Sequence, residues 1–302
     1  MIQNAIILQA VQEKLGKQAI TESDILSITE LDLSRKSLFE VSDLSRFRNL
    51  EKLLLMENCL CDLSPISELV SLKELRAGND PFLPDDEKAA RKGKNHFDDY
   101  AFLRKLTNLT HVEFTDTDIE NIAFVAMLPN VVEFWAYSNP IRDVSPLTHC
   151  PKLYKAYFYD CPITDISVCR QLPALCGIAV NSTGVSDLSP LKGHDDFTYL
   201  DAHDSRVTDI SAVRAMTKMS YLTLAGTKVT DITPLLPMQK LQWLTLEVKN
   251  YLSFGQLMQV LPKLRKLKSV ALHNCDLTKS QRLRLKLRMP LKKIKFNAHG
   301  AL

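Results

Sequence analysis

A period of 22 residues constrains this chain more than any other feature. With Leu109 as position one, a step of 22 lands on Val131, Leu153, Leu175, Phe197, Met219 and Leu241 without an insertion, and Ile28, Leu50 and Leu72 keep the same step upstream. Each unit reads L-x-x-L-x-L-x-x-N-x-I-x-D-[ILV]-[ST]-P-L, as in LEKLLLMENCLCDLSPI from Leu50, VVEFWAYSNPIRDVSPL from Val131 and MSYLTLAGTKVTDITPL from Met219. A fixed period of this length means a stack of identical supersecondary units. No single unit can bury its apolar edge, so only the stack is stable.

The pattern assigns a task to each position. Positions one, four, six and eleven point inward, as at Leu222, Leu224 and Val229. The alternation across positions four to six predicts a short strand, and stacking such strands builds a parallel sheet. Position nine carries Asn58, Asn139, Cys161, Thr183, Ser205, Thr227 and Cys275, side chains able to bond turn backbone that would otherwise be buried unpaired. Position thirteen is Asp62, Asp143, Asp165, Asp187, Asp209 and Asp231. A Ser or Thr follows two residues later, often before Pro, as in Ser64-Pro65, Ser145-Pro146, Ser189-Pro190 and Thr233-Pro234. A hydroxyl cap with Pro in the first helical position predicts a short helical turn on the convex side. Calcium sites cluster several oxygens in one loop, whereas these aspartates come one per repeat at a strand spacing of about 4.8 Å. They read as structural, with no metal.

These residues resemble the internalin-like class of leucine-rich repeats, with its 22-residue unit and N-x-I-x-D-[IL]-[ST]-P-L core, over about 28–246. The resemblance implies an α/β solenoid: a curved parallel β-sheet, short helical turns on the convex side and a helical N-terminal cap over 1–27. The cap has its own signal. Ile7, Val11 and Leu15 fall on one helical face, and Thr21-Glu-Ser-Asp24 is a capping signature ahead of Ile25 and Leu26. Unlike surface internalins, the chain shows no signal peptide, Ig-like module or wall anchor, so adhesion to host cells is not implied.

The repeats loosen at the flanks. Between Leu72 and Leu109 there are 15 extra residues, placed in the charged stretch around 82–96 and expected to form an exposed loop that could contact a partner. From Leu241 the unit lengthens, with starts at Leu267 and Leu291. The longer units of 247–302 leave room for helices in SFGQLMQVL and SQRLRLKLRM, although the second also alternates like a strand. A last strand, Ile294 to Phe296, would close the stack.

Composition narrows the function classes. Nine glycines among 302 residues, with neither GxGxxG nor GxxxxGK[ST], leave no phosphate-cradling loop. No cofactor is implied. Seven scattered cysteines without an export signal point to reduced thiols and a cytoplasmic location, with a secreted effector lacking a cleavable signal as the alternative. No apolar run is long enough to span a bilayer. The net charge of +3 is uneven: residues 263–295 carry twelve Lys or Arg against Asp276 alone, leaving −8 for the rest.

Positions three, five, seven and eight face the concave side. They hold Trp135, Tyr137, Tyr157, Tyr159, Tyr199, Tyr221 and Trp243, which are both tryptophans and five of the eight tyrosines. Around them stand Glu113, Asp116, Glu133, Asp160, Asp201, Asp204 and Glu247, with Lys155 as the main base. Aromatics suit strands in general. That propensity does not explain why both indoles take outward slots, where large rings serve as interface anchors. The expectation is a protein partner with a basic or mixed surface, held on Trp135, Tyr137, Tyr157, Tyr159, Tyr199, Asp201, Tyr221, Trp243, Glu113, Glu133 and Asp160.

Two other classes remain open. The basic end, with Lys263, Arg265, Lys266, Lys268, Lys292, Lys293 and Lys295, could hold nucleic acid or anionic lipid. It lacks accompanying aromatic pairs and reads better as the solvated outer face of the last helices. A bacterial effector or antitoxin-like protein is the third reading. Catalysis finds little support. His203-Asp204-Ser205 are sequence neighbours rather than converging groups, His111 and Glu113 lie on an open face, and the cysteines fall in packing or turn positions. The chain is expected not to be an enzyme.

Overall fold

A computed structural model describes residues 2–90 and 92–296. The chain falls into two compact units, residues 1–141 with 146–153 and residues 142–145 with 154–302. In both, strand order follows chain order.

The first unit opens with helix α1 (Ala5–Leu15), which buries Ile7 and Val11. Asn4 caps its start, and Gly16 ends it at φ 64°. Helix α2 (Glu22–Ser27) begins in a reciprocal capping box between Thr21 and Asp24. Asp43 Oδ2 accepts from the N–H groups of Gln3 and Asn4 at 2.8 and 2.7 Å, tying the cap to the first repeat. Five parallel strands follow: β1 (Glu30–Asp32), β2 (Lys52–Leu54), β3 (Glu74–Arg76), β4 (His111–Glu113) and β5 (Glu133–Trp135). Position four stays in register through all of them, pairing Leu31, Leu53, Leu75, Val112 and Phe134. Behind this row the core is aromatic: Tyr100 stacks on Phe124 at 4.1 Å, and both meet Phe114 edge-on.

The second unit has seven strands: β6 (Lys155–Tyr157), β7 (Gly177–Ala179), β8 (Tyr199–Asp201), β9 (Tyr221–Leu224), β10 (Trp243–Glu247), β11 (Ser269–His273) and β12 (Lys293–Phe296). Its inward row runs Ala156, Ile178, Leu200, Leu222, Leu244, Val270 and Ile294. The longer repeats contain helices α4 (Phe254–Val260) and α5 (Lys279–Arg288), started by Ser253 and by a Thr278–Gln281 capping box. The ambiguous segment SQRLRLKLRM is therefore helical. Among the described residues no helix is long and apolar enough to cross a membrane.

The position-thirteen aspartates act one step away from the expected cap. At Asp62, Asp143, Asp165, Asp187, Asp209 and Asp231, Oδ1 accepts the N–H of the Ser or Thr two residues on at 2.7–2.8 Å. Oδ2 accepts the hydroxyl of that same residue at 2.7–3.0 Å. The carboxylate is the acceptor that opens each 3-10 turn, and the hydroxyl donates to it. Both oxygens are satisfied within their own turn.

Position nine divides by chemistry. Asn58 and Asn139 each accept two backbone N–H groups from the preceding repeat and donate to carbonyls of both repeats. Thr183, Ser205 and Thr227 have only a hydroxyl, which donates to the carbonyl three residues back at 2.5–2.6 Å. Asn95 belongs to the same ladder. It accepts from Leu60 N and donates to Leu55 O and Ala77 O, and Asn79 Oδ1 accepts its N–H. Asp99 then opens the next turn at Ala101. The extra residues are consequently 80–94 rather than 82–96, and they carry a short helix, α3 (Asp85–Ala90).

Candidate binding surface

In the first unit, charge and aromatic groups interlock on the open face of the sheet. Arg76, at position five of its repeat, donates from Nε to Glu74 at 2.7 Å, and its Nη1 lies 3.6 Å from Glu113. Lys52 closes on Glu74 at 3.1 Å. The Arg76 guanidinium sits 4.9 Å from the Trp135 ring centroid, and His111 stacks on the same indole at 6.1 Å. Burial opposes ionisation of Glu74, but Lys52 and Arg76 outweigh it and hold that carboxyl below the usual range. At Glu113 the balance reverses: burial dominates, and the carboxyl is raised despite Arg76. Glu133 is half-buried on β5. The insertion reaches this face too, where Phe82 stacks on Tyr137 at 6.4 Å and Lys94 pairs with Asp116 and Asp118 at 3.2 and 2.9 Å.

In the second unit, strand register sets Tyr199, Tyr221 and Trp243 side by side. Tyr199 and Tyr221 stack at 4.9 Å with 14° between planes. Tyr157 reaches the row from β6 and lies 5.9 Å from Tyr199. Between these strands stands Gly177, where a Cβ would come within 3.2 Å of both Lys155 Cγ and Tyr199 Cβ. Tyr157, Tyr159, Tyr199 and Tyr221 are half-buried and Trp243 is 36% exposed, so the rings lie on the sheet face and not in the interior. Burial raises the phenols of Tyr199 and Tyr221, and Asp201 raises them further.

Several predicted acids are not open charges. Glu113, Asp201 and Glu247 occupy the expected face but are 4%, 7% and 9% exposed, because side chains on flanking strands cover short acids at a strand spacing of about 4.8 Å. Asp201 Oδ1 lies 2.7 Å from His203 Nδ1 and accepts the Thr223 hydroxyl. Glu247 accepts from Gly226 N and Asn274 Nδ2. Position eight has a backbone reason for its acids. Asp116, Asp160 and Asp204, like Ser138, Ser182 and Asn274, have φ between 43° and 56°, the left-handed region where Asp and Asn cost least after glycine. Gly226 takes the same place at φ 69°. Asp160 is exposed, and turn geometry alone accounts for its residue type.

Sequence reasoning overlooked Arg76, and it counted Lys293 and Lys295 with the basic end rather than with the sheet face. The signal was available, since stepping the frame to Leu72 and Leu291 puts them at positions five, three and five. Lys293 and Lys295 belong to β12, beside Ser269 and Ala271, and not to the outer face of the last helices. His203 faces Asp201, while Ser205 donates to Ala202 O, so His203, Asp204 and Ser205 form no triad.

Neither a family model nor a curated protein matches the sequence. Solved structures do match. An internalin, InlF, from Listeria monocytogenes superposes with TM-score 0.72 at 21% identity, over 99% of this chain and 96% of that one. The fold is an internalin-type leucine-rich-repeat solenoid. A leucine-rich-repeat protein of Leptospira interrogans shares it at TM-score 0.59 and 14% identity, covering 91% of this chain and 97% of the other. A plant peptide hormone receptor, RGFR1, solved in complex with RGF2, shares it at TM-score 0.57 and 15% identity, covering 84% and 46%. The leucine-rich-repeat frame accounts for what the face has in common across repeats.

Proposed function

We propose that this leucine-rich-repeat chain is a non-enzymatic protein-recognition module that holds its partner on the open face of the sheet. The stacked Tyr157–Tyr199–Tyr221 row carries this reading. Its rings are held by one another before any partner arrives, so little rotamer freedom remains to be lost on binding. Each offers a large apolar edge with a polar tip, the combination enriched at interface hot spots. The first unit adds Trp135, presented on Arg76, and Tyr137, backed by Phe82.

The charge of the partner surface follows from which groups reach solvent. Glu113, Asp201 and Glu247 are buried, whereas Asp160 and Asp204 are exposed and Lys155 is half-buried, and a mixed partner surface fits better than a uniformly basic one. A binding role also suits the groups nearest to acid–base chemistry, since Asp201 is held by His203 of its own repeat and by the Thr223 hydroxyl of the next. The plant receptor solved with RGF2 is a precedent for a bound partner on this fold.

The test is affinity capture from cell extract, wild type against Tyr157→Ala/Tyr199→Ala. At about 2 kcal/mol per hot-spot ring, each loss weakens binding roughly thirtyfold, so specific partners should vanish from the double variant while its thermal unfolding stays close to wild type. An unchanged capture profile from the folded double variant refutes the face.

A further inference from the structure

The end of the second unit brings together two groups of residues that lie far apart in the chain. Trp243, Ser269 and Lys293 are successive register partners across β10, β11 and β12, and Thr245, Ala271 and Lys295 form the next row. Ser269 and Ala271 are small and buried, leaving a cleft of about 590 Å³ lined by Tyr221, Trp243, Lys268, Ser269, Lys293 and Lys295. Lys268 Nζ stands 5.2 Å from the Trp243 ring centroid. Among the described residues, no carboxylate pairs with any of these three ammonium groups. Glu247, on β10 itself, is committed to Gly226 N and Asn274. One wall is therefore aromatic and the other carries three positive charges that no carboxylate among the described residues compensates.

We infer that this cleft takes an acidic peptide segment of the partner, its carboxylates on Lys268, Lys293 and Lys295 and an apolar side chain against Tyr221 and Trp243. The inference rests on the protein-recognition reading and adds the chemistry of one part of the partner. Single-stranded nucleic acid carries the same sign of charge but gains its affinity by stacking bases on open ring faces. Here Tyr221 is stacked on Tyr199 at 4.9 Å, and the Lys268 ammonium lies over Trp243. The rings offer edges beside a row of ammonium groups, which suits carboxylates flanking an apolar side chain.

The experiment titrates the full chain with a blocked hexapeptide of glutamates and aspartates around one phenylalanine, reading the Trp243 indole N–H resonance. A saturable shift is expected. Lys293→Gln/Lys295→Gln should bind about tenfold more weakly and Lys293→Glu/Lys295→Glu more weakly still, with affinity falling as salt rises. Absence of a saturable shift, equal affinity in both variants, or tighter binding of oligouridylate at the same resonance overturns the assignment. Partner capture separates the two ideas. If Lys293→Glu/Lys295→Glu captures like wild type while Tyr157→Ala/Tyr199→Ala does not, the cleft assignment fails and the face stands. If the peptide binds as expected while Tyr157→Ala/Tyr199→Ala still captures, the face fails and the cleft stands.

Discussion

Replacing Asn139 by alanine probes how the first unit holds its repeats together. Asn139 is buried, and its Oδ1 accepts the N–H groups of Thr117 and Ile119 at 2.9 and 3.1 Å. Alanine strands both donors in a site closed to water, whereas Phe114 O, which also loses Asn139 Nδ2, keeps the Thr117 hydroxyl at 2.9 Å. At about 1–3 kcal/mol for each stranded buried group, the two N–H groups alone cost about 4 kcal/mol. Ser205 holds the same position in the second unit but makes one bond, to Ala202 O at 2.6 Å, so Ser205→Ala should cost about 1–2 kcal/mol. Urea unfolding measures both: Trp135 fluorescence in a Trp243→Phe background reports the unit containing Asn139, and Trp243 in a Trp135→Phe background reports the unit containing Ser205. Asn139→Asp restores an acceptor but sets an anion against carbonyls, and should be no more stable than alanine. If Asn139→Ala loses less than about 1 kcal/mol, the asparagine is not what satisfies these donors, and the reasoning fails.

Two further outcomes are expected. The hydrogen bond that His203 donates to Asp201 raises the His203 pKa above its ordinary 6.5 against the effect of burial, with Asp204 adding to the rise. The resulting stabilisation is therefore complete below about pH 6.5 and is lost as pH rises through the folded-state value. His203→Gln should flatten this part of the fall in unfolding temperature as pH rises above about 6.5, and an unchanged slope counts against it. All seven cysteines are free thiols, with Cys61 exposed and Cys59 half-buried. Burial pushes the Cys150 and Cys169 thiols up to about 12, so a disulfide reagent at mild alkaline pH should modify only Cys59 and Cys61 in the native protein and all seven in denaturant. Rapid native labelling of a third thiol would contradict this packing.

The sequence alone determined the period, the inward row and the ladders, because these depend on local rules repeated from one unit to the next. Leu222, Leu224 and Val229 must face inward once the strand is placed, and Asp231 can bond Thr233 without reference to any other repeat. It also placed Trp135, Tyr157, Tyr199, Tyr221 and Trp243 on the open face, since side-chain direction follows position in a strand. Only the tertiary structure decided what those positions mean. Whether an outward acid is buried depends on neighbours 22 residues away: Asp201 is covered and accepts the Thr223 hydroxyl, whereas Asp160 is exposed in a left-handed turn. Asn95 is separated from its repeat by 15 residues and rejoins the ladder because carbonyls of Leu55 and Ala77 await a donor. Lys293 meets Trp243 across Ser269 through strand pairing. Burial and charge compensation are sums over side chains brought together from distant segments, and a linear pattern specifies the direction of each side chain without specifying that company.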